Sequence, residues 1–232
     1  MRKGRCVNMN NRMTFPVPLQ WGRLTVGRII VPLLAAALLC SCTSPQTADG
    51  PVYRSERGFT IGLSPQWLVV HRLDIGGKEN PIGTDNLRIR SLFTAEVLSG
   101  LKEKALTNGV ELFVNLETSD ESLIESINVQ AARGSIAIEE SDVAPACAET
   151  EKRLAALYGQ PVKMSACRVL QLRRMPSIYL EYGVERPALA QAQYLIQLKP
   201  DHYIVMTLTC RPANLPRLRQ ELDAIVASLR TT

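Results

Sequence analysis

The chain has 232 residues, is 46% hydrophobic and carries a formal net charge of +5. That charge is uneven: Arg2, Lys3, Arg5, Arg12, Arg23 and Arg28 precede the first acid, Asp49, and taking these six from 27 basic residues leaves 21 against 22 acids. A basic leading segment on a nearly neutral body excludes the nucleic-acid partner that net charge alone invites.

After the basic segment, Ile29 to Leu39 forms a run of eleven residues without a charge or a hydrogen-bonding side chain. A membrane-spanning helix needs about 20 apolar residues to cross roughly 30 Å of hydrocarbon, so the run is short for a permanent anchor. A basic stretch, a short apolar stretch and then small residues is the layout of a secretory signal. Leu39-Cys40-Ser41-Cys42 follows. It resembles the lipobox of bacterial lipoproteins: an aliphatic residue, a tolerated residue, a small residue, then the cysteine that receives a diacylglycerol. The resemblance implies cleavage between Ser41 and Cys42 and lipid attachment at Cys42. Cys40 does not fit the lipidated position, because Leu39 before it is too bulky for the cleavage site. The alternatives are an ordinary signal cut near the same place, or a short anchor left uncut. The leading stretch is long for a signal, which makes Met9 and Met13 alternative starts. Thr43, where an Asp would be the retention pattern, resembles lipoproteins sent to the outer membrane, facing the periplasm. Several acyl chains on one cysteine hold a protein stably where one chain does not.

This layout divides the chain into a signal peptide over 1–41, a lipidated cysteine and flexible tether over 42–52, and one folded domain over 53–232. Removing the signal leaves 191 residues, a length suited to one core. Phe59, Ile61 and Leu63 alternate and predict a half-buried strand; Gln66 to Leu73 predicts another. Asp74 to Pro81 is turn chemistry, with no phosphate-binding pattern in its glycines. Leu92, Val97, Leu101 and Ala105 lie near helical spacing over 91–107, stopped by Asn108-Gly109. Val110, Leu112, Val114 and Leu116 alternate with Glu111, Phe113, Asn115 and Glu117 as a strand, and residues 123–132 continue in extended form. Ser141-Asp142 ahead of Pro145 reads as a helix cap, with Gly159 ending that helix after Tyr158. Extended runs at 164–173, 177–185, 190–199 and 202–210, broken at Met175-Pro176, Arg186-Pro187 and Pro200-Asp201, predict an antiparallel meander. A final helix over Leu215–Leu229 places Leu218, Leu222, Ile225, Val226 and Leu229 on one stripe and Arg217, Arg219, Glu221 and Asp223 outward. The fold class is α+β: an antiparallel β-sheet flanked by helices.

Gly58-Phe-Thr-Ile-Gly-Leu-Ser-Pro-Gln-Trp67 resembles the opening of the PsbP/DcrB-like superfamily, and Tyr194 to Leu229 is similar to its closing hairpin and helix. Ser64 departs from the pattern, which usually runs straight into Pro. The resemblance implies an α/β/α sandwich used for binding and scaffolding. Members include photosystem assembly subunits, a nuclear-transport GTPase-binding factor, secretion chaperones and envelope lipoproteins. It offers no catalytic motif to carry onto this chain.

The chemistry-bearing residues are few. His71 alternates with Trp67 and Val69, and His202 lies at a turn beside Asp201. They read as a strand and a turn histidine rather than as a base or metal ligands, since no pair has ligand spacing and no Cys-x-x-Cys exists. Glu139-Glu140-Ser141-Asp142 complements the N-terminus of the following helix and lacks a calcium-loop pattern. Arg168, Arg173 and Arg174 lie on one predicted strand, with Arg186 after the next. They offer a basic surface for an anionic glycan, lipid headgroup or partner, or else an exposed sheet face offset by Glu181 and Glu185. Tyr179 and Tyr194 on neighbouring strands belong either to a binding face or to the core. Cys147, Cys167 and Cys210 are an odd number in an oxidising compartment. They imply one disulfide, its pairing open, and one thiol, with Cys210 continuing the Ile204, Met206, Leu208 alternation into the core. No catalytic residue, metal or cofactor is expected. The expected function is a membrane-anchored envelope lipoprotein that binds an envelope protein; the alternatives are a periplasmic small-molecule or lipid-binding module and an unrecognised hydrolase.

Overall fold

The computed structural model describes residues 51–70, 94, 99–101, 103, 106–120, 122–136 and 142–232. The signal region, Ser41, Cys42, the tether before residue 51, His71, the turn over 74–81 and Glu139 to Ser141 lie outside the described residues. The elements are β1 (Val52–Arg54), β2 (Phe59–Gly62), β3 (Trp67–Val69), β4 (Glu111–Asn115), β5 (Ser126–Arg133), α1 (Val143–Tyr158), β6 (Lys163–Leu172), β7 (Met175–Val184), β8 (Leu189–Lys199), β9 (His202–Cys210), α2 (Leu215–Ser228) and β10 (Arg230–Thr231). Residues 99–101, 103, 106 and 107 are helical, and Gly109 takes φ +57° where Asn108-Gly109 predicts a left-handed stop.

The predicted meander is present: β6, β7, β8 and β9 pair successively and antiparallel, then β9 pairs with β5, giving a seven-stranded sheet in the order β3-β4-β5-β9-β8-β7-β6. A small sheet, β1-β2-β10, stands apart from it. Every pairing among these strands is antiparallel, so the class is α+β.

The apolar stripe of α2 decides where the main core lies. Leu218, Leu222, Ile225 and Val226 are buried in one cluster with Phe59 and Ile61 of the small sheet and with Phe113, Ile127, Tyr194, Met206 and Leu208 of the large one. The helix therefore lies between two sheets, and each buried aliphatic side chain contributes about 1.5–3 kcal/mol relative to exposure. On the opposite face of the large sheet, Leu154 of α1 packs with Val162, Tyr182 and Val184. Helices therefore pack on both faces of the large sheet, the layering that the resemblance implied.

Three expectations are corrected. The first hairpin turns at Arg173-Arg174, not at Met175-Pro176: Leu172 pairs with Met175, and the two arginines take φ +49° and +72°. Pro176 remains in β7 because a proline nitrogen is tolerated where the ladder does not need its donor. Asp142 precedes α1 but makes no side-chain cap bond, since its own backbone is helical and its carboxylate does not face the first-turn N–H groups. The alternating strand is present as β4, and all five of its residues are buried, so its two sides are both packed faces. Leu112 and Val114 join one cluster while Phe113 joins the main core. Finally, the polar residues of α2 do not all point away from the protein, as described next.

Candidate interaction surface

Where α2 packs across β8 and β9, the flanks of the helix carry polar side chains that reach back to β7 and β8. Tyr179 and Tyr194 are cross-strand partners, and their rings meet at 4.9 Å. The Tyr179 hydroxyl donates to Glu181 Oε2 at 2.6 Å, and the Tyr194 hydroxyl donates to Asp223 at 2.7 Å. Ser165 donates to Glu181 Oε1 at 2.9 Å, and Arg219 of α2 lies 3.4 Å from Oε2. The Arg168 guanidinium lies 5.0 Å over the Tyr179 ring. Trp67 and Gln66 donate to Glu221 of the same helix. Two tyrosines 1% and 5% exposed, with both hydroxyls satisfied, are core residues that bolt α2 to the sheet.

The electrostatics follow this geometry. Burial pushes the Tyr179 and Tyr194 phenols above their ordinary range, and the carboxylates they bond raise them further. For Glu181, burial acts upward, but the hydrogen bonds from Tyr179 and Ser165 and the charge of Arg219 outweigh it, leaving the carboxyl below its usual value. Glu181 thus serves Tyr179 and Arg219 rather than offsetting a row of exposed arginines.

The four arginines singled out as a basic surface are separated. Arg168 lies on β6, Arg173 and Arg174 form the hairpin tip beyond it, and Arg186 sits at the far end of β7, where its N–H donates to Gln160 Oε1 at 3.2 Å. The length of β7, 10 residues, sets that end roughly 30 Å from the tip. The surviving cluster is the β6–β7 hairpin.

The disulfide joins Cys147 of α1 to Cys167 of β6 with Cα atoms 6.1 Å apart, and Cys210 is buried and free. Burial pushes the Cys210 thiol up to about 12, with the Glu125 and Glu181 charges adding to the rise, so it is inert at neutral pH. Beside the disulfide runs an open groove of about 480 Å³ between α1 and β6, whose lining includes Val143, Ala144, Cys147 and Glu151 from the helix and Met164 and Cys167 from the strand.

A buried network at the opposite end of the sheet was not legible in the sequence. Glu125 is fully buried, and its Oε1 accepts from the Arg211 N–H at 2.9 Å and from Asn214 at 2.8 Å, with Arg211 Nη1 at 3.4 Å. Arg211 also donates to the Thr118 carbonyl at 3.0 Å, to Ser122 at 2.8 Å and to Asp120. Asp120 accepts from the Ser122 hydroxyl and from the Ser122 and Leu123 N–H groups, which hold its carboxyl well below the usual range, with Arg211 assisting. The polar run Thr118 to Ser122 signals a turn, but nothing in it points to an arginine some 90 positions later. His202 opens β9 in register with Arg133 on one side and Lys199 on the other, two cations rather than the carboxylate a general base would need. Among the described residues no group of three or more His, Cys, Asp or Glu converges as a metal site.

No family model and no curated protein matches the chain. Among solved structures it is similar to cyanobacterial PsbP (CyanoP) from Synechocystis sp. PCC 6803, at 12% identity and a TM-score of 0.48, over 84% of this chain and 99% of that one. It is also similar to the Saccharomyces cerevisiae Ran-binding protein Mog1p, at 15% identity and a TM-score of 0.43, over 75% of this chain and 90% of the other. A Pseudomonas aeruginosa protein of unknown function, PA94, is similar at 20% identity and a TM-score of 0.38, over 53% and 83% of the two chains. At these identities and scores a likeness transfers neither a family nor a function, and the function is argued from the residues of this chain.

Proposed function

We propose that this chain is a lipoprotein of a bacterial cell envelope, held to a membrane by lipid on Cys42, whose α+β domain is a non-catalytic binding or assembly module for another envelope protein. The observation that carries the reading is Leu39-Cys40-Ser41-Cys42, placed directly after eleven apolar residues that six basic residues and no acid precede. The Cys147–Cys167 disulfide agrees with an oxidising compartment. Thr43 after the lipidated cysteine favours the outer membrane, facing the periplasm.

The reading of the domain as a binding module rests on how its polar groups are used. Tyr179, Glu181, Tyr194 and Asp223 are bonded to one another or to α2, and Glu151 in the disulfide groove accepts from the Met164 N–H at 2.8 Å. Side chains committed in this way hold the fold rigid and are not a set poised for proton transfer, which favours a scaffold that binds over one that catalyses. The test is metabolic labelling of the full chain with a palmitate analogue. Label is expected on the wild type and absent from Cys42→Ser, which leaves the membrane fraction. A Cys42→Ser chain that still labels and sediments with membrane overturns the reading.

A further inference from the structure

The outer margin of the large sheet is β6, a ten-residue strand that pairs with β7 alone among the described strands. The two-residue turn sets which of its backbone groups are spent. Leu172 and Met175 close the hairpin, so Leu172, Leu170 and Arg168 use their N–H and C=O groups on β7. Gln171, Val169 and Cys167 then direct theirs away from the sheet. The bulge between Met164 and Ala166 shifts this alternation and turns the Met164 N–H outward, where Glu151 of α1 caps it at 2.8 Å. Nothing among the described residues caps the next three.

Natural edges of this length are blunted because they recruit other strands. Here the bulge and the Glu151 contact close one end, and along the rest the basic side chains repel a like-charged strand without capping the backbone groups. Val169, on the open part, is 38% exposed, and the groove beside the disulfide runs along the same strand. From Lys163 to Arg174 the chain carries Lys163, Arg168, Arg173 and Arg174 and no acid. The tip adds a second anomaly. A two-residue turn with both φ values positive favours Asn-Gly, whereas two arginines here occupy the left-handed region at φ +49° and +72°. Strain of that kind is kept where the side chains it presents are needed.

We infer that β6 is a docking edge that takes an extended, acidic segment of a partner protein as an added antiparallel or parallel strand, paired to Cys167, Val169 and Gln171 and flanked by Arg168, Arg173 and Arg174. A second copy of this chain is disfavoured by charge, since β6 against β6 sets four cations against four. An anionic membrane would engage the arginines but leave the backbone donors unpaired. The inference rests on the proposal that the domain binds protein.

The test uses the full chain in envelope-competent bacteria with p-benzoylphenylalanine in place of Gln171, and sequences the photo-crosslinked peptide. A strand-forming segment of a second protein with net negative charge is expected. Val169→Pro removes an outward N–H and leaves the β7 ladder intact, and it is expected to lower the crosslink about tenfold. The pair Arg173→Asn and Arg174→Gly gives the turn its favoured residues; it is expected to weaken the crosslink while raising thermal stability. A crosslink to a second copy, to lipid alone or to a basic segment overturns the inference, as does a crosslink indifferent to Val169→Pro in a chain that still melts cooperatively. A parallel crosslinker at Leu157 on α1 separates the two claims. A partner captured there but not at Gln171 sinks the docking edge and spares the binding module; no protein captured at either position sinks both.

Discussion

The two long helices solve the same problem by different means. α2, with 14 residues, buries Leu218, Leu222, Ile225 and Val226 between two sheets, and Tyr194, Trp67 and Glu181 bond its flanks. α1, with 16 residues, buries only Thr150 and Leu154 and leaves Leu157 40% exposed. What α1 lacks in apolar burial is made up by a covalent bond from its second turn to the edge strand. A helix covered on two sides is held by packing, while one that caps a sheet margin on a single side is held by a staple, and the open surface lies beside the stapled one.

The comparison is broken most strongly at the α2 junction. Arg211→Met removes the cation beside buried Glu125, which keeps the residue-211 N–H and Asn214 as its donors, and a loss of about 3 kcal/mol is expected by denaturant titration. A loss under about 1 kcal/mol would show that the network is not what holds the β4–β5 loop against the helix entry. Leu222→Ala should cost about 3 kcal/mol, and Leu154→Ala in α1 about 2, because the site beside the open groove relaxes more easily. Equal costs would erase the distinction between the helices.

Replacing both Cys147 and Cys167 by Ala opens a loop with a sequence separation of 20 residues. Chain entropy for such a loop corresponds to about 3 kcal/mol. The loss is expected to concentrate in α1, read as faster amide exchange over Val143–Tyr158 with α2 still protected. Uniform loss of protection would mean that the staple supports the whole fold.

The last expected effect is alkaline. Cys210 titrates near 12 in the fold against an ordinary 9.0, so its contribution is whole below pH 9.0 and declines as pH rises toward 12. Stability should fall from about pH 9, with the raised Tyr179 and Tyr194 phenols adding above their ordinary 10.0. Cys210→Ala should flatten the first part of that decline. An unchanged profile would place the effect on the tyrosines alone.

Much of the architecture was readable from local order. The alternation of Phe59, Ile61 and Leu63, the four spaced extended runs and the stripe of α2 each follow from a period that one buried face imposes on a segment. The leftover thiol was legible too, because Cys210 continues the alternation of β9. The Arg173-Arg174 turn was not, since its residues contradict the usual composition of a left-handed turn and Pro176 offered a nearer break.

What the chain order determined by itself is therefore periodic: which segments are strands or helices and which side of each is apolar, together with the uneven charge, six basic residues ahead of the first acid. Tertiary structure alone decided that Cys147 meets Cys167, that Arg211 finds Glu125 across 86 positions, and that β6 rather than another strand is left at the margin. Local periods arise from neighbours a few residues apart. Pairings across the sheet depend on register and on the order of strands, which no single segment encodes.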